Sequence, residues 1–193
     1  MREMLCSQQA QSLEFSYPGG RAALFWSPAG ERGELTVRLG YHGAYGMGER
    51  YNAVNQKGYT AVNGVEEKFC FQGEKTYCPA PFLWTDTGFG LYADTAEQTA
   101  FHFDREVIRA ELPVDCRVVL FEGTPGGIIQ DYMSLFGPAK LPPKWTFGPW
   151  ISANHWDSQE KVERAAAPAE EHGVPVCALV GGGGGDGATF YIF

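Results

Sequence analysis

Basic residues are scarce in this chain. Fifteen Lys and Arg stand against 23 Asp and Glu, a formal net charge of -8, and the basic residues form no cluster. Without such a surface the chain lacks the counterion-releasing contacts on which nucleic-acid binding depends, so a nucleic-acid partner is excluded. The same balance disfavours an anionic ligand, whereas a neutral one meets no electrostatic cost. Long apolar runs are missing as well. No stretch approaches the roughly 18 apolar residues of a membrane span, and the opening Met-Arg-Glu-Met-Leu-Cys-Ser-Gln-Gln has no apolar run of signal-peptide length. These readings give the expectation of a cytoplasmic protein with no membrane partner.

Cysteine and histidine are sparse in a telling way. Cys6, Cys70, Cys78, Cys116 and Cys177 are odd in number, and none forms the closely spaced pairs of a zinc or redox motif. They read as reduced thiols. No Asn-x-Ser/Thr sequon occurs, in keeping with that compartment. His42, His102 and His172 are isolated, which favours surface or packing roles, and no metal constellation is visible. Ser152, His155 and Asp157 lie close in sequence, but triads are assembled in space, and Asp157 is better placed to cap a helix. The run Gly181 to Gly185 lacks the Gly-Lys-Ser/Thr of a phosphate-binding loop, so no cofactor is expected. Nor does spacing single out two carboxylates as an acid and a nucleophile about 5 Å or more apart.

Apolar and aromatic residues are abundant, at 44% and 14% of the chain, enough for a buried core. From Ser12 to Leu39 short alternating runs are separated by Pro-Gly-Gly and Pro-Ala-Gly turns, with Leu35, Val37 and Leu39 on one face. Lys68–Phe71, Pro81–Trp84, Gly90–Ala93, Thr99–Phe103, Val107–Leu112 and Cys116–Phe121 continue as strands, with Thr85–Gly88 as a tight turn. Many short strands without intervening helices predict an antiparallel β-sandwich. Thr124, Pro125 and Gly137 then delimit a helix with Ile128, Ile129, Tyr132, Met133 and Phe136 on one stripe.

The character changes after Gly137. Pro138, Pro142 and Pro143 withhold backbone donors, which predicts a stiff connector. Trp145–Ser152 suits a strand, Asp157 with Glu160 a capping box, and Val162, Ala165, Ala166 and Ala169 a helical face, interrupted by Pro168 and stopped by Gly173. Val174–Val180 suits a buried strand, completing one βαβ unit. The fold expected is mainly β: a sandwich with a closing helix over 1–137, a Pro-rich connector over 138–144, and over 145–193 the start of a parallel sheet or barrel. A complete eight-fold barrel takes about 250 residues, far more than follow Trp145.

Certain motifs carry a resemblance. They are Tyr45-Gly-Met-Gly-Glu-Arg-Tyr51 with Asn55-Gln-Lys-Gly58, Thr76-Tyr-Cys-Pro-Ala-Pro-Phe82 with Gly88-Phe-Gly-Leu-Tyr-Ala-Asp-Thr95, Asp131-Tyr132, and Leu141-Pro-Pro-Lys-Trp-Thr-Phe-Gly-Pro-Trp150. In this order the chain resembles glycoside hydrolase family 31, the family of α-glucosidases and α-xylosidases. The resemblance implies a β-sandwich followed by a truncated (β/α)8 barrel, and retaining hydrolysis of α-linked glucosides by an aspartate nucleophile and a separate acid/base aspartate. Both aspartates belong to motifs later in the barrel, so no catalytic residue is assigned here and the chain is expected to be inactive. The resemblance also implies a sugar-binding acid where this chain has Gly181 to Gly185, with Asp186 the nearest carboxylate. It marks Glu66 and Glu67, which otherwise read as a solvated turn, and Asn154 and Trp156, at the mouth of the barrel, as substrate-side residues. An oligosaccharide partner follows for the complete enzyme. The alternatives are a carbohydrate-binding or interaction module, and self-association through the edge of the unfinished barrel.

Overall fold

The computed structural model describes residues 1–66, 72–153, 156 and 158–181. The chain divides into two compact units, Met1–Pro138 and Ala139–Phe193. The expected strand Lys68–Phe71 lies outside the described residues.

The first unit is built from two antiparallel sheets. One has five strands in the order β1 (Arg2–Leu5), β11 (Arg117–Glu122), β8 (Phe89–Asp94), β7 (Pro79–Thr85) and β5 (Ala44–Gly48). The other has six, in the order β2 (Gln11–Tyr17), β3 (Gly20–Ala29), β4 (Arg32–Arg38), β10 (Val107–Pro113), β9 (Thr99–Phe103) and β6 (Thr60–Asn63). Alternation decides which side of each strand is buried: Leu24 and Trp26 on β3, Leu35 and Val37 on β4, Phe101 and Phe103 on β9, and Ile108 and Ala110 on β10 all point inward. Leu83, Leu91 and Val118 of the five-stranded sheet join the same apolar cluster, the arrangement of a β-sandwich. Trp26 is almost fully buried, and its indole N–H still finds the Ser7 carbonyl at 2.7 Å, so its burial leaves no donor unsatisfied.

Helix α1 (Pro125–Ser134) covers the other face of the five-stranded sheet. Thr124 caps it by accepting from the Gly127 N–H, and Pro125 occupies the first turn, as the sequence predicts. Ile128, Tyr132 and Leu135 pack on Phe82, Tyr92, Val119 and Phe121. Tyr132 stacks on Phe82 with ring centroids 3.9 Å apart. The buried stripe is narrower than expected, because Ile129 is exposed; Phe136 lies beyond the helix and, though largely open to solvent, sets its ring edge-on against Tyr92 and Tyr132. A 10-residue helix lying on a sheet buries one line of residues and turns the flanking positions to solvent.

Cys6 and Cys116 sit at a β-bulge where β1 meets β11. The Cys6 N–H donates to the Cys116 carbonyl at 2.9 Å, and the Asp115 N–H donates to the Cys6 carbonyl at 2.7 Å. Asp115 occupies the left-handed region, φ 67°, in the turn that the Cys116 N–H closes on Pro113. Asp115→Gly is therefore expected to raise stability by up to about 1 kcal/mol and Asp115→Ala to lower it by a similar amount, read from urea midpoints. Burial pushes both thiols up to about 12, with the neighbouring Cys116 adding to the effect at Cys6 and with Asp94 and Glu97 adding to it at Cys116. Exposed Cys78 should accordingly react with a thiol reagent at once, while Cys6 and Cys116 should wait for denaturant; equal rates would contradict this.

In the second unit β12 (Trp150–Ala153) pairs parallel with β13 (Ala178–Gly181), and α2 (Gln159–Glu171) connects them. Three local expectations are corrected. The strand expected over Val174–Val180 begins only at Ala178, with Val174 exposed beside Pro175, which has no N–H to give to a ladder. Trp145–Ser152 is not one strand, since Lys144–Phe147 forms a 3-10 turn and Gly148-Pro149 separates it from β12; proline cannot donate to a ladder. The cap of α2 is Ser158, whose hydroxyl accepts from the Lys161 N–H, and Lys161 holds the third helical position that a capping box would give to Glu or Gln. Val162, Ala165, Ala166 and Ala169 are half-buried on one helical face, as their spacing predicts. Among the described residues no helix is long and apolar enough to cross a membrane.

Candidate functional site

The segment Gly46-Met-Gly48 reverses ordinary backbone preference at three successive residues, with φ of 108°, 67° and 77°. Glycine adopts such angles at little cost, and Met47 is held there by complete burial of its side chain. The register between β5 and β7 shifts at this point: Gly46 opposes Leu83 and Gly48 opposes Pro79. A Cβ at Gly48 would overlap the Cys78 carbonyl oxygen, and one at Gly46 that of Phe82. The two glycines thus let β5 lie against β7 while its end turns out of the sheet.

The turn delivers Glu49, Arg50 and Tyr51 to the loop end of the sandwich. Glu49 is clamped through its backbone, donating to the Cys78 carbonyl at 2.9 Å and accepting from the Thr76 hydroxyl at 2.7 Å. Arg50 ties three segments together. It donates from Nε to the Met47 carbonyl at 2.9 Å, from Nη1 to the Val62 carbonyl at 3.0 Å, and from Nη2 to Asn63 Oδ1. Asn63 is itself buried and donates to the Thr99 hydroxyl at 3.3 Å. Among the described residues no carboxylate pairs with Arg50, and burial lowers its affinity for the proton below the ordinary arginine value. A fork satisfied by carbonyl oxygens is a structural brace.

Around this brace the exposed groups are aromatic and polar. Tyr51, Tyr59, Val65 and Tyr77 are open to solvent, and the Tyr51 hydroxyl donates to Glu49 Oε2 at 3.1 Å. The Tyr51 phenol is held above its ordinary pKa by desolvation, by that hydrogen bond, and by the charges of Glu49, Tyr77 and Cys78. Val65 bridges to Thr76, the Glu66 N–H donates to the Thr76 carbonyl at 3.0 Å, and the exposed Glu66 carboxylate pairs with Lys75. Exposed rings beside hydroxyl, carboxylate and ammonium groups suit a neutral polyhydroxylated ligand, which offers apolar C–H faces and hydroxyls that both donate and accept.

Of the residues singled out in the sequence, Glu66 thus lies in this loop cluster, while Glu67 and Asn154 fall outside the described residues. Trp156 is half-buried in the second unit. The glycine run after Gly181, with Asp186, also lies outside them, as do His155 and Asp157. Arg50, Tyr51 and Tyr77 stand inside motifs in the sequence, where nothing in their type or spacing marks them as site residues. The signal available was the Gly-x-Gly spacing immediately before Glu49 and Arg50. Among the described residues no group of three His, Cys, Asp or Glu side chains is placed to hold a metal ion.

No family model matches the chain. Curated proteins do. The chain is 27% identical to the isomaltosyltransferase of Sporosarcina globispora over 179 residues, covering 88% of this chain and 15% of that protein. It is 30% identical to the 1,3-alpha-isomaltosidase of Kribbella flavida over 146 residues, 70% of this chain and 20% of that protein. The chain therefore spans about a fifth or less of the length of these relatives. Its fold is also that of the GH31 dextranase of Flavobacterium johnsoniae, solved as a mutant complexed with isomaltotriose. There the TM-score is 0.72 at 18% identity, over 84% of this chain and 23% of that one. Sequence and fold together place the chain among the amino-terminal regions of glycoside hydrolase family 31.

Proposed function

We propose that this chain supplies the substrate-shaping sandwich and the first strand, helix and strand of the catalytic barrel of a retaining α-glycosidase that acts on isomaltosyl-bearing glucans. The observation that carries the reading is the similarity to an isomaltosyltransferase along 88% of the chain, supported by the likeness to an isomaltosidase. Cleavage proceeds in two carboxylate-assisted steps, and the two aspartates that the family resemblance implies lie in motifs to which no residue of this chain corresponds. The chain's own share is binding. On the sandwich we assign substrate contact to Glu66 and Glu67, with Tyr51 and Tyr77 as the rings beside them. On the strand–helix–strand unit we assign it to Asn154 and Trp156, which follow β12. Among the described residues no further strand flanks the β12–β13 pair, which favours self-association of the isolated chain, read by sedimentation at several concentrations.

The functional test is a chimera in which this chain replaces the matching region of the Kribbella flavida isomaltosidase. The chimera is expected to retain isomaltosidase activity. Tyr77→Ala and Glu66→Gln in it should raise KM several-fold with little change in kcat, since uniform binding is lost. A folded chimera whose KM ignores both substitutions would overturn the assignment.

A further inference from the structure

The side chains on the outer face of the six-stranded sheet form an ordered row. Phe25 stands opposite Thr36, Thr36 opposite Arg109, Arg109 opposite His102, and His102 opposite Thr60. All five side chains lie on the face away from the core, because the alternate positions Leu24, Leu35, Ile108, Phe101 and Ala61 are buried. Five strands at the usual spacing give a row of about 19 Å.

Neighbouring contacts hold the row in place. His102 meets the Thr60 hydroxyl with Nδ1 at 3.0 Å and Glu111 Oε1 with Nε2 at 3.3 Å. Arg109 is fixed on Asp104 at 2.8 Å, and Arg38 lies over the exposed Phe25 ring at 5.5 Å. An open groove of about 580 Å³ runs between Thr36 and Arg38 on one side and the segment from Asp104 to Val107 with Arg109 on the other, so Arg105 and Glu106 also line it, within the range of small-ligand sites. We propose that this face is a second saccharide-binding surface, for a neutral oligosaccharide lying across the strands. An anion in the groove would meet Asp104 and Glu106, and a cation would meet Arg38, Arg105 and Arg109. A polyol meets a fixed donor and a fixed acceptor side by side, as paired hydroxyls require. Such a surface would hold a glucan chain independently of the loop end, and it goes beyond the proposed function.

The test is a titration of the 193-residue chain with isomaltotriose, followed by ¹H–¹⁵N correlation spectra. Saturable shifts are expected in β4, β9 and β10. Arg109→Ala and Phe25→Ala should each weaken the binding read at β4, β9 and β10 about fivefold or more, and Glu3→Gln, exposed on β1 of the other sheet, should leave it unchanged. Should Arg109→Ala fail to fold, Arg109→Gln and His102→Gln report the same contact. No saturable shift, or binding abolished by Tyr77→Ala yet indifferent to every substitution on this face, would overturn the proposal. Neither result bears on the chimera, so the two readings fail separately.

Discussion

Gly48→Ala is expected to destabilise the sandwich by about 3 kcal/mol, seen as a lower urea midpoint with an unchanged slope. Two causes add. Alanine in the left-handed region costs roughly 1–2 kcal/mol, and at φ 77° Gly48 is well inside it. The new Cβ would also overlap the Cys78 carbonyl oxygen, and backbone cannot rotate away as a flexible side chain can. Either the β5–β7 pairing opens, or the Glu49 N–H loses its bond to Cys78. Gly30→Ala separates the two causes. Gly30 has φ 72° but nothing within 4 Å of the position a Cβ would take, so it should show only the conformational cost, about 1–2 kcal/mol. Equal losses at the two glycines would show that the close approach of β5 to β7 contributes nothing.

Arg50→Ala is expected to cost about 2–3 kcal/mol. The substitution removes charge-assisted bonds to Met47, Val62 and Asn63, and buried Asn63 is left with an unanswered carbonyl oxygen. Arg50→Lys should restore little of this, because a single ammonium on a flexible stem cannot reach three oxygens in fork geometry. The loss should be accompanied by faster amide exchange at Glu49, Tyr51 and Val62, the segments that the guanidinium joins. A lysine variant as stable as the parent would show that the charge alone, and no fork, holds the loop.

Local signals made part of this legible. Thr99–Phe103 alternates cleanly and is β9 residue for residue, and Thr124-Pro125 announces α1 because a capping hydroxyl and a pre-set φ act within one turn. What stayed hidden depends on distant parts of the chain. β1 is four residues long and gains its strand character only by pairing with β11 at the far end of the unit. β6, equally short, lies at a sheet edge beside β9. His102 looked isolated because its partners, Thr60 and Glu111, come from the flanking strands β6 and β10 and become neighbours only through register. The loop-end site was visible as a motif, but the brace role of Arg50 required knowing that Val62 and Asn63 arrive beside it. The helical stripe is wider in the sequence pattern than in the fold at Ile129 for the opposite reason. Periodicity reports which positions share a side, and the width of the partner surface decides how many of them are buried.

We propose that the sandwich shapes a glucan site while the carboxylates that break the bond belong to motifs with no counterpart in this sequence. The most direct measurement is an assay of the purified 193-residue chain on an aryl α-glucoside and on an isomaltosyl oligosaccharide. No release above buffer is expected at any pH between acid and neutral. Turnover that copurifies with the chain and disappears in Glu66→Gln would contradict it.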